Sequence, residues 1–198
     1  MQKDEVNFFD TSTGQRIVLS KLVPDNIKIL DIATSLSKMC RFRGHCKGFY
    51  SVAEHSVRVA NTTLRLIVED KASRFASTDP EFAINKQDYN TTLLALLHDA
   101  HEAYTGDELR GLKTKALRDI EDQVQGVIIQ TFNLQGAYSP FIKKADDILL
   151  ATEGRDLMGR QDGWYLPENP LVEVIKPITW EAAQALFISK FDSLRKMV

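Results

Sequence analysis

Apolar residues recur every three or four positions along most of the chain, which is the period of an amphipathic α-helix. Near the start, two apolar stretches flank the turn-rich sequence DTSTG, which predicts a short hairpin over residues 6–19. The segment 91–105 is apolar almost all round, which predicts a central helix buried by its neighbours. The other predicted helices cover residues 27–39, 51–69, 114–132, 139–158 and 179–194. The pattern therefore predicts an all-α protein, a bundle of about six helices with a small N-terminal hairpin.

Residues with known preferences for helix ends mark several boundaries. Ser51 and Glu54 form an S-x-x-E capping box at the start of the second helix. Asp25 is a plausible cap for the first helix, and Gly106 is a suitable end for the central one. Residues 70–90 are polar and contain a proline, so we interpret them as a loop with one short helix.

The length and composition are those of an ordinary globular protein. The chain has 198 residues without repeats or a second domain boundary, so we expect a single domain over residues 1–198. Its formal net charge of -2 gives no general attraction for a polyanion, so we expect no stable nucleic-acid partner. No apolar run approaches the roughly 20 residues of a membrane span, and the N-terminus lacks a signal-peptide core. These features favour a cytoplasmic protein with no membrane partner.

The chain has two cysteines, Cys40 and Cys46. They could pair, but two cysteines without a secretory signal do not make a disulfide framework, and their spacing is not that of a zinc knuckle. Two free thiols are therefore the favoured interpretation.

The sequence LLHDAHEAYTGDE at 96–108 carries the strongest candidate chemistry. His98 and Asp99 are adjacent in a segment that is otherwise apolar, and burying either side chain without a partner is costly. A divalent cation would remove this cost, because imidazole nitrogens and carboxylate oxygens both bind such ions. Glu102 lies one turn beyond His98 and projects near the same place, where it could orient or deprotonate an attacking water.

Two other predicted helices offer further ligands. His55 lies on the apolar stripe of the second helix, which directs its ring inward. The fifth helix has an acid pair: Asp146 shares the buried stripe, whereas Asp147 lies on the side of Lys143 and Lys144 and is expected to be solvated. Nitrogen and oxygen ligands without thiolate suit manganese, cobalt, iron, nickel or zinc. Such a cation could polarise a phosphoryl oxygen and activate water.

Each of these residues also has a purely structural interpretation. An inward histidine is usually a satisfied core residue, a His-Asp pair on a helix can be an ion pair, and an acid beside two lysines is most often surface. Spacing alone does not bring three segments together in space. A metal site on a helical core and a purely structural helical protein therefore both remain open at this point.

The pattern H…HD…D on successive helices resembles the signature of the HD-domain metal-dependent phosphohydrolases. Four blocks extend the resemblance in order, namely RFRGH at 41–45, FYSVAEHS at 49–56, LLHDAHEAYTGD at 96–107 and KKADDILLATEGRDL at 143–157. They resemble a subgroup similar to the bacterial 5′-deoxynucleotidases and the phage HD-type deoxynucleoside triphosphohydrolases. The resemblance covers residues 10–160 and implies an HD-domain helical bundle.

The resemblance implies one divalent metal ion (manganese, cobalt, zinc, iron, nickel or magnesium), held by His55, His98, Asp99 and Asp146. It also implies that Glu102 is catalytic and organises the attacking water. Relatives with two metals carry extra histidine ligands. This chain has four histidines in total, so one metal is favoured.

The resemblance also assigns contacts to the substrate. Arg41 and Lys113 match residues that reach the phosphate. Phe42 occupies the place of an aromatic residue that packs against the deoxyribose, and Asp107 is a candidate catalytic residue at the sugar hydroxyl. Because phosphate recognition needs basic donors, a local patch is expected. Its candidate members are Arg41, Arg43, His45, Lys113 and Lys115. Plain surface solvation is the alternative for each of them.

Two features depart from the subgroup. Its GD element is often followed by prolines, as in GD-x-P-x-P, but this chain has GDELRGLK, which leaves the substrate preference open. His101 replaces a residue that is usually small. It could donate a proton to the leaving group or merely fill space, and we favour the second role.

These features predict a hydrolase that removes the 5′-phosphate of deoxynucleoside monophosphates, with a nucleotide as its partner. The alternative cleaves a deoxynucleoside triphosphate, for example dATP to deoxyadenosine and triphosphate, and a non-catalytic nucleotide-binding sensor is less favoured. Related proteins form dimers or larger assemblies, so we expect a homo-oligomer. The last helix, with Trp180, Phe187 and Phe191, could form an interface or close the core, and we favour the core.

Overall fold

The computed structural model describes residues 8–135, 139–158 and 168–198, in which seven α-helices and one β-hairpin form the fold. The helices are α1 Ile29–Lys38, α2 Val52–Arg74, α3 Lys86–Leu96, α4 Glu102–Thr105, α5 Lys115–Thr131, α6 Pro140–Leu157 and α7 Trp180–Arg195. The strands β1 Phe9–Asp10 and β2 Arg16–Ile17 are antiparallel. The prediction of an all-α protein with a small N-terminal hairpin is therefore confirmed.

Helix α2 lies at the centre of the bundle and packs against α1, α3, α6 and α7. Buried apolar side chains from all five helices form one continuous core. The C-terminal helix α7 closes this core, because Phe187, Phe191 and Leu194 are buried, whereas Trp180 remains partly exposed. The core role that we favoured for this helix is confirmed.

The N-terminal hairpin is tied to α1 by a single carboxylate. Asp31 accepts hydrogen bonds from the hydroxyls of Thr11 at 2.8 Å and Ser12 at 2.7 Å. It also accepts from the backbone N–H of Thr13 at 2.8 Å and from its hydroxyl at 2.6 Å. Burial would raise the pKa of Asp31, but these hydrogen bonds outweigh burial and hold the pKa below its usual value. The polar turn that predicted the hairpin therefore also fixes its position on the bundle.

The central helix predicted over 91–105 is wrong, because two helices are present with a turn over 97–101 between them. In this turn the N–H groups of Ala100 and Glu102 bond to carbonyls three residues back, at 3.1 and 3.0 Å, rather than four. The tighter turn ends α3 before the His-Asp pair. The candidate ligands therefore lie where two helices meet and not in the middle of one.

Helix ends follow the predicted signals in two cases out of three. The Ser51 side chain accepts the N–H of Glu54 at 3.1 Å and caps α2. The Glu54 half of the predicted capping box is wrong, because that carboxylate bonds to Arg58 and to the N–H of Ile178. Gly106 ends α4 with a φ of 87°, a conformation that glycine adopts without strain. The cap predicted at Asp25 is wrong, because this residue lies in a 3-10 turn and α1 begins only after Lys28.

The loop predicted over residues 70–90 is shorter in the structure. Helix α2 continues to Arg74, α3 begins at Lys86, and a 3-10 turn over Pro80–Phe82 is the short helix expected between them. The polar sequence GRQDGWYLPENP at 159–170 also predicts a loop, most of which lies outside the described residues. None of the helices in the described ranges combines the length and the apolar character needed to cross a membrane.

Candidate metal centre

The three segments that carry the predicted ligands converge at one point. His55 projects from α2, His98 and Asp99 from the turn after α3, and Asp146 from α6. The His55 Nε2 atom lies 3.3 Å from Asp146 Oδ1 and 3.8 Å from Asp99 Oδ2. The His98 Nε2 atom lies 3.0 Å from Asp99 Oδ2 and 3.9 Å from Asp146 Oδ1. Two imidazoles and two carboxylates therefore face one small space.

These separations suit a single cation. Nitrogen and oxygen ligands bind divalent metals at about 2.0–2.2 Å, so neighbouring ligands of one ion lie about 3–4 Å apart. His55, His98 and Asp99 form a group whose ligand atoms all lie within 4.8 Å of one another and that could hold a metal ion. The distances from Asp146 to both imidazoles fall in the same range.

Both histidine rings are held from behind, so that the same nitrogen of each faces the carboxylates. The Nδ1 atom of His98 lies 2.8 Å from the carbonyl oxygen of Ala95, which can only accept, so Nδ1 donates. The Nδ1 atom of His55 lies 2.6 Å from Oε1 of Glu153 and donates in the same way. In the neutral rings this leaves the Nε2 lone pairs directed at the shared space, as metal coordination requires.

Negative charge dominates the electrostatics of this space. Burial and the Arg41 guanidinium disfavour the imidazolium of His55, but Glu153 and Asp146 outweigh them and raise its pKa to about 9. Burial would raise the pKa of Asp146, but contacts with His55 and His98 lower it to about 2. The pKa of Asp99 is likewise held far below its usual range, against burial, by both imidazoles and Arg41. The centre therefore favours bound positive charge, whether protons or a cation.

The sequence reasoning missed Glu153, which is fully buried on α6. Its carboxylate accepts from the Tyr50 hydroxyl at 2.9 Å, from His55 Nδ1 at 2.6 Å and from Arg41 Nη2 at 3.2 Å. Burial opposes its charge, but Arg41 and His55 lower its pKa. A signal was present in the sequence, because Glu153 lies seven residues, or two turns, after Asp146 on the same face of the helix.

The predicted catalytic acids lie beside the centre. Glu102 is buried at the start of α4, and its Oε2 atom has no hydrogen-bond partner among the described residues. Burial, together with the charges of Asp99 and Asp107, raises the pKa of Glu102 well above its usual value. Asp107 is half-buried, and burial raises its pKa too. Both carboxylates are close enough to Asp99 for its negative charge to raise their pKa values.

Arg41 reaches the centre from the loop after α1. Its Nη1 atom lies 3.8 Å from Asp99 Oδ2, and its Nε atom is buried without a hydrogen-bond partner in the described part of the chain. The guanidinium lies 5.2 Å from the centre of the Phe42 ring. Phe42 and Arg43 both have a positive φ, 54° and 52°, which turns the chain sharply at this point. The structure therefore brings Arg41 to the metal centre, with the Phe42 ring beside its guanidinium.

The other predicted basic residues are less directly placed. Arg43 forms an ion pair with Glu108, and Lys113 bonds to Glu121 at 2.8 Å. Lys113 is near enough to the centre for the charges of Glu102 and Asp99 to act on its pKa, which is raised mainly by Glu121 against burial. His45 is exposed on its loop. Lys115 is 84% exposed and pairs with Asp119, so its side chain belongs to the surface.

Two further predictions concern single residues near the centre. The solvated position predicted for Asp147 is wrong, because its side chain is only 12% exposed and forms an ion pair with Lys143. His101 is largely buried, with Nε2 3.8 Å from Glu121 Oε1, and burial lowers its pKa. Its two proposed roles both remain predictions.

The two cysteines border the loop that carries Arg41. Cys40 and Cys46 are free thiols with Sγ atoms 3.7 Å apart, as the favoured interpretation expected. They lie outside the set of candidate ligands, so the centre is built from nitrogen and oxygen atoms.

Comparison with known proteins places the chain in a family. No protein-family model matches it. It is 34% identical over 201 aligned residues to the uncharacterized protein YfdR of Escherichia coli K12, and the alignment covers 97% of this chain and 98% of YfdR. It is also 32% identical over 138 residues to the uncharacterized protein RCAP_rcc00048 of Rhodobacter capsulatus, covering 67% of this chain and 62% of that protein. At this identity and coverage, the chain belongs to the family of YfdR.

Proposed function

We propose that this protein is a metal-dependent phosphohydrolase of the HD-domain type, which removes the 5′-phosphate of deoxynucleoside monophosphates. The observation that carries the proposal is the matched orientation of two buried imidazoles. His55 and His98 each donate from Nδ1 and direct Nε2 toward two carboxylates. A core histidine with a structural role needs no such convergence, whereas a metal site depends on it.

The ligand set fits one divalent cation, with His55, His98, Asp99 and Asp146 as its ligands. When bound, such an ion supplies a Lewis acid for water and for a phosphoryl oxygen. Two anionic carboxylates and two neutral imidazoles would offset its two positive charges. This balance leaves the charge of the phosphate to be met by the surrounding basic side chains.

Arg41 is the residue placed to meet that charge. Its buried Nε–H lacks a hydrogen-bond partner among the described residues, which is costly unless a ligand supplies an acceptor. A phosphate oxygen would satisfy this donor, and the planar guanidinium suits phosphate geometry. In the proposed reaction Arg41 binds the phosphate and stabilises the negative charge that develops on it.

Glu102 and Asp107 complete the proposed machinery. The unpartnered Oε2 atom of Glu102 is suited to hold and orient the water that attacks phosphorus. Asp107 is half-buried near Arg41 and is assigned to the sugar hydroxyl. Phe42, beside Arg41, is assigned to pack against the deoxyribose.

The pairing of the basic side chains favours a monophosphate over a triphosphate. A triphosphate brings more negative charge and needs more basic donors. Arg43 pairs with Glu108, and Lys113, which lies near the centre, pairs with Glu121. Arg41 also pairs with Glu153, but its Nε–H has no acceptor among the described residues. The charges available around Arg41 therefore suit one phosphate group better than three.

The test is a panel of deoxynucleotides and ribonucleotides incubated with manganese, cobalt, zinc or magnesium, with the released phosphate species identified by chromatography. We expect inorganic phosphate from deoxynucleoside monophosphates. Asp99→Ala should lose both bound metal and turnover, while the exposed Asp119→Ala serves as the control. Release of triphosphate would favour the triphosphohydrolase, tight nucleotide binding without turnover would favour a sensor, and turnover by Asp99→Ala would contradict the site.

A further inference from the structure

We propose that Glu153 is a positioning residue that couples metal binding to phosphate binding. The inference rests on the proposed function, because it requires that the centre bind a cation and that Arg41 bind phosphate. Glu153 lies behind the His55 ring and the Arg41 guanidinium, so it would contact neither the cation nor the substrate. It acts through His55 and Arg41.

A single carboxylate holds both residues at once. Oε1 of Glu153 accepts from His55 Nδ1 at 2.6 Å and from the Tyr50 hydroxyl at 2.9 Å. Oε2 accepts from Arg41 Nη2 at 3.2 Å. The Glu153 side chain is completely buried, so water cannot replace any of these contacts. The ring that offers Nε2 to a cation and the guanidinium that faces a phosphate therefore share one anchor.

Each contact has a separate effect on binding. The contact with Nδ1 fixes the orientation of the His55 ring and increases the electron density at Nε2, which strengthens a metal bond. The contact with Arg41 fixes the Nη2 end of the guanidinium. It leaves the Nε–H without an acceptor among the described residues, so this donor can bind a phosphate oxygen. Because the anchor is shared, ordering one of the two groups orders the other. Metal and phosphate should therefore each strengthen the binding of the other.

Glutamine cannot reproduce this anchor. A carboxylate offers only acceptors, and all three of its partners here are donors. An amide has one acceptor atom and one donor atom, so either orientation places an NH2 group against His55 and Tyr50 or against Arg41. Aspartate keeps the charge but is shorter by one methylene, so it cannot reach His55 and Arg41 together.

The experiment is a calorimetric titration of Mn²⁺ into metal-free protein, with and without inorganic phosphate, for the wild type and three variants. Glu153→Gln and Glu153→Asp test the anchor. Glu54→Gln is the matched control, because Glu54 is also a buried glutamate of this bundle but bonds to Arg58 and to the N–H of Ile178. Circular dichroism and thermal unfolding show that each variant is folded.

We expect Glu153→Gln to weaken Mn²⁺ binding about 10–100-fold, the usual effect of losing a carboxylate behind a histidine ligand. We also expect it to reduce the factor by which phosphate tightens Mn²⁺ binding, which should lie in the ordinary range of about 5–150 in the wild type. Direct contact between the cation and a phosphate oxygen keeps part of this coupling in the variant. Glu54→Gln should keep both quantities. In the zinc-loaded wild type, the Nδ1–H proton of His55 should be protected from exchange, and Glu153→Gln should lose that protection.

The possible failures are distinguishable. If the wild type binds no Mn²⁺, the metal centre and the proposed function fail. If the wild type binds Mn²⁺ and folded Glu153→Gln and Glu153→Asp both keep its affinity and its coupling to phosphate, the centre stands and the role of Glu153 is overturned. Should Glu153→Gln fail to fold, Glu153→Asp alone decides, and wild-type values for both quantities overturn the proposal.

Discussion

The two sides of the site differ in how their charges are arranged. The metal side consists of His55, His98, Asp99 and Asp146. Its imidazoles are fixed from behind, and the imidazoles hold the pKa values of both carboxylates below their usual range against the effect of burial. The substrate side consists of the loops 41–45 and 106–113, where most basic side chains already have acidic partners. The comparison teaches that contacts within the protein fix both imidazoles of the metal side, whereas on the substrate side Arg41 alone is held in a comparable way.

The largest effect is expected on the metal side. Asp99→Ala removes the carboxylate nearest to His98 Nε2. We expect turnover to fall by about 10³-fold or more, because the variant loses the cation and with it the Lewis acid. Metal analysis of the purified variant and its rate on the best substrate provide the measurement. Normal turnover by a variant that holds little metal would show that the reaction does not depend on the proposed metal ligands.

On the substrate side, Arg41→Gln should have the next largest effect. We expect kcat/KM to fall about 10²-fold, since one charged donor to the phosphate is lost. Mn²⁺ affinity should change much less, because Arg41 is not a ligand. Calorimetry and steady-state kinetics on the same preparation separate the two effects. A loss of metal binding as large as the loss of rate would show that the two sides are not distinct.

The metal side should also respond to pH. In the metal-free protein the pKa of His55 is raised to about 9, so its imidazole is mostly protonated below that value and cannot bind a cation. Lowering the pH from 9 toward 6 should therefore weaken Mn²⁺ binding about tenfold per pH unit for each proton displaced. Titrations at pH 6, 7 and 8 check the sign. An affinity that does not change over this range would contradict the protonation that we assign to His55.

The smallest effects should come from Lys113, which is paired with an acid, and from His45, which is exposed. Lys113→Ala should lower kcat/KM only a few-fold, about 3–5-fold, because Glu121 already offsets much of its charge. His45→Ala should change kcat/KM less than about twofold, because the His45 side chain is exposed and its charge is screened by water. Parallel kinetics of both variants with Arg41→Gln measure the ranking. A Lys113 effect equal to that of Arg41 would show that substrate binding breaks the pair with Glu121.

The helical part of this structure could be predicted from the sequence, because apolar periodicity reports which face of a helix is buried. That logic placed Asp146 on the buried stripe and Asp147 in solvent. Asp146 does reach His55, but its side chain is 24% exposed and that of Asp147 is 12% exposed, so the predicted difference in burial between the two acids is wrong. The same logic failed where backbone geometry changes within an apolar run. The turn at 97–101 has the sequence LHDAH, which contains neither glycine nor proline, and apolar residues continue on both sides of it, so the break between α3 and α4 left no signal in the sequence.

Contacts between distant segments were the other part that the sequence could not supply. The pair of Arg43 with Glu108 depends on how two loops meet, and the pair of Lys113 with Glu121 depends on how a loop folds against α5; periodicity reports neither. Glu153 was missed for a related reason. A buried acid on an apolar face was visible, but its partners His55 and Arg41 come from residues 98 and 112 positions earlier in the chain.

The central claim is that the Nε2 atoms of His55 and His98 and the carboxylates of Asp99 and Asp146 bind one divalent cation. Anomalous X-ray scattering from crystals soaked in Mn²⁺ tests it most directly. We predict one strong peak about 2.0–2.3 Å from both Nε2 atoms and from an oxygen of each carboxylate. A peak elsewhere, or none at this position in crystals saturated with Mn²⁺, would contradict the account.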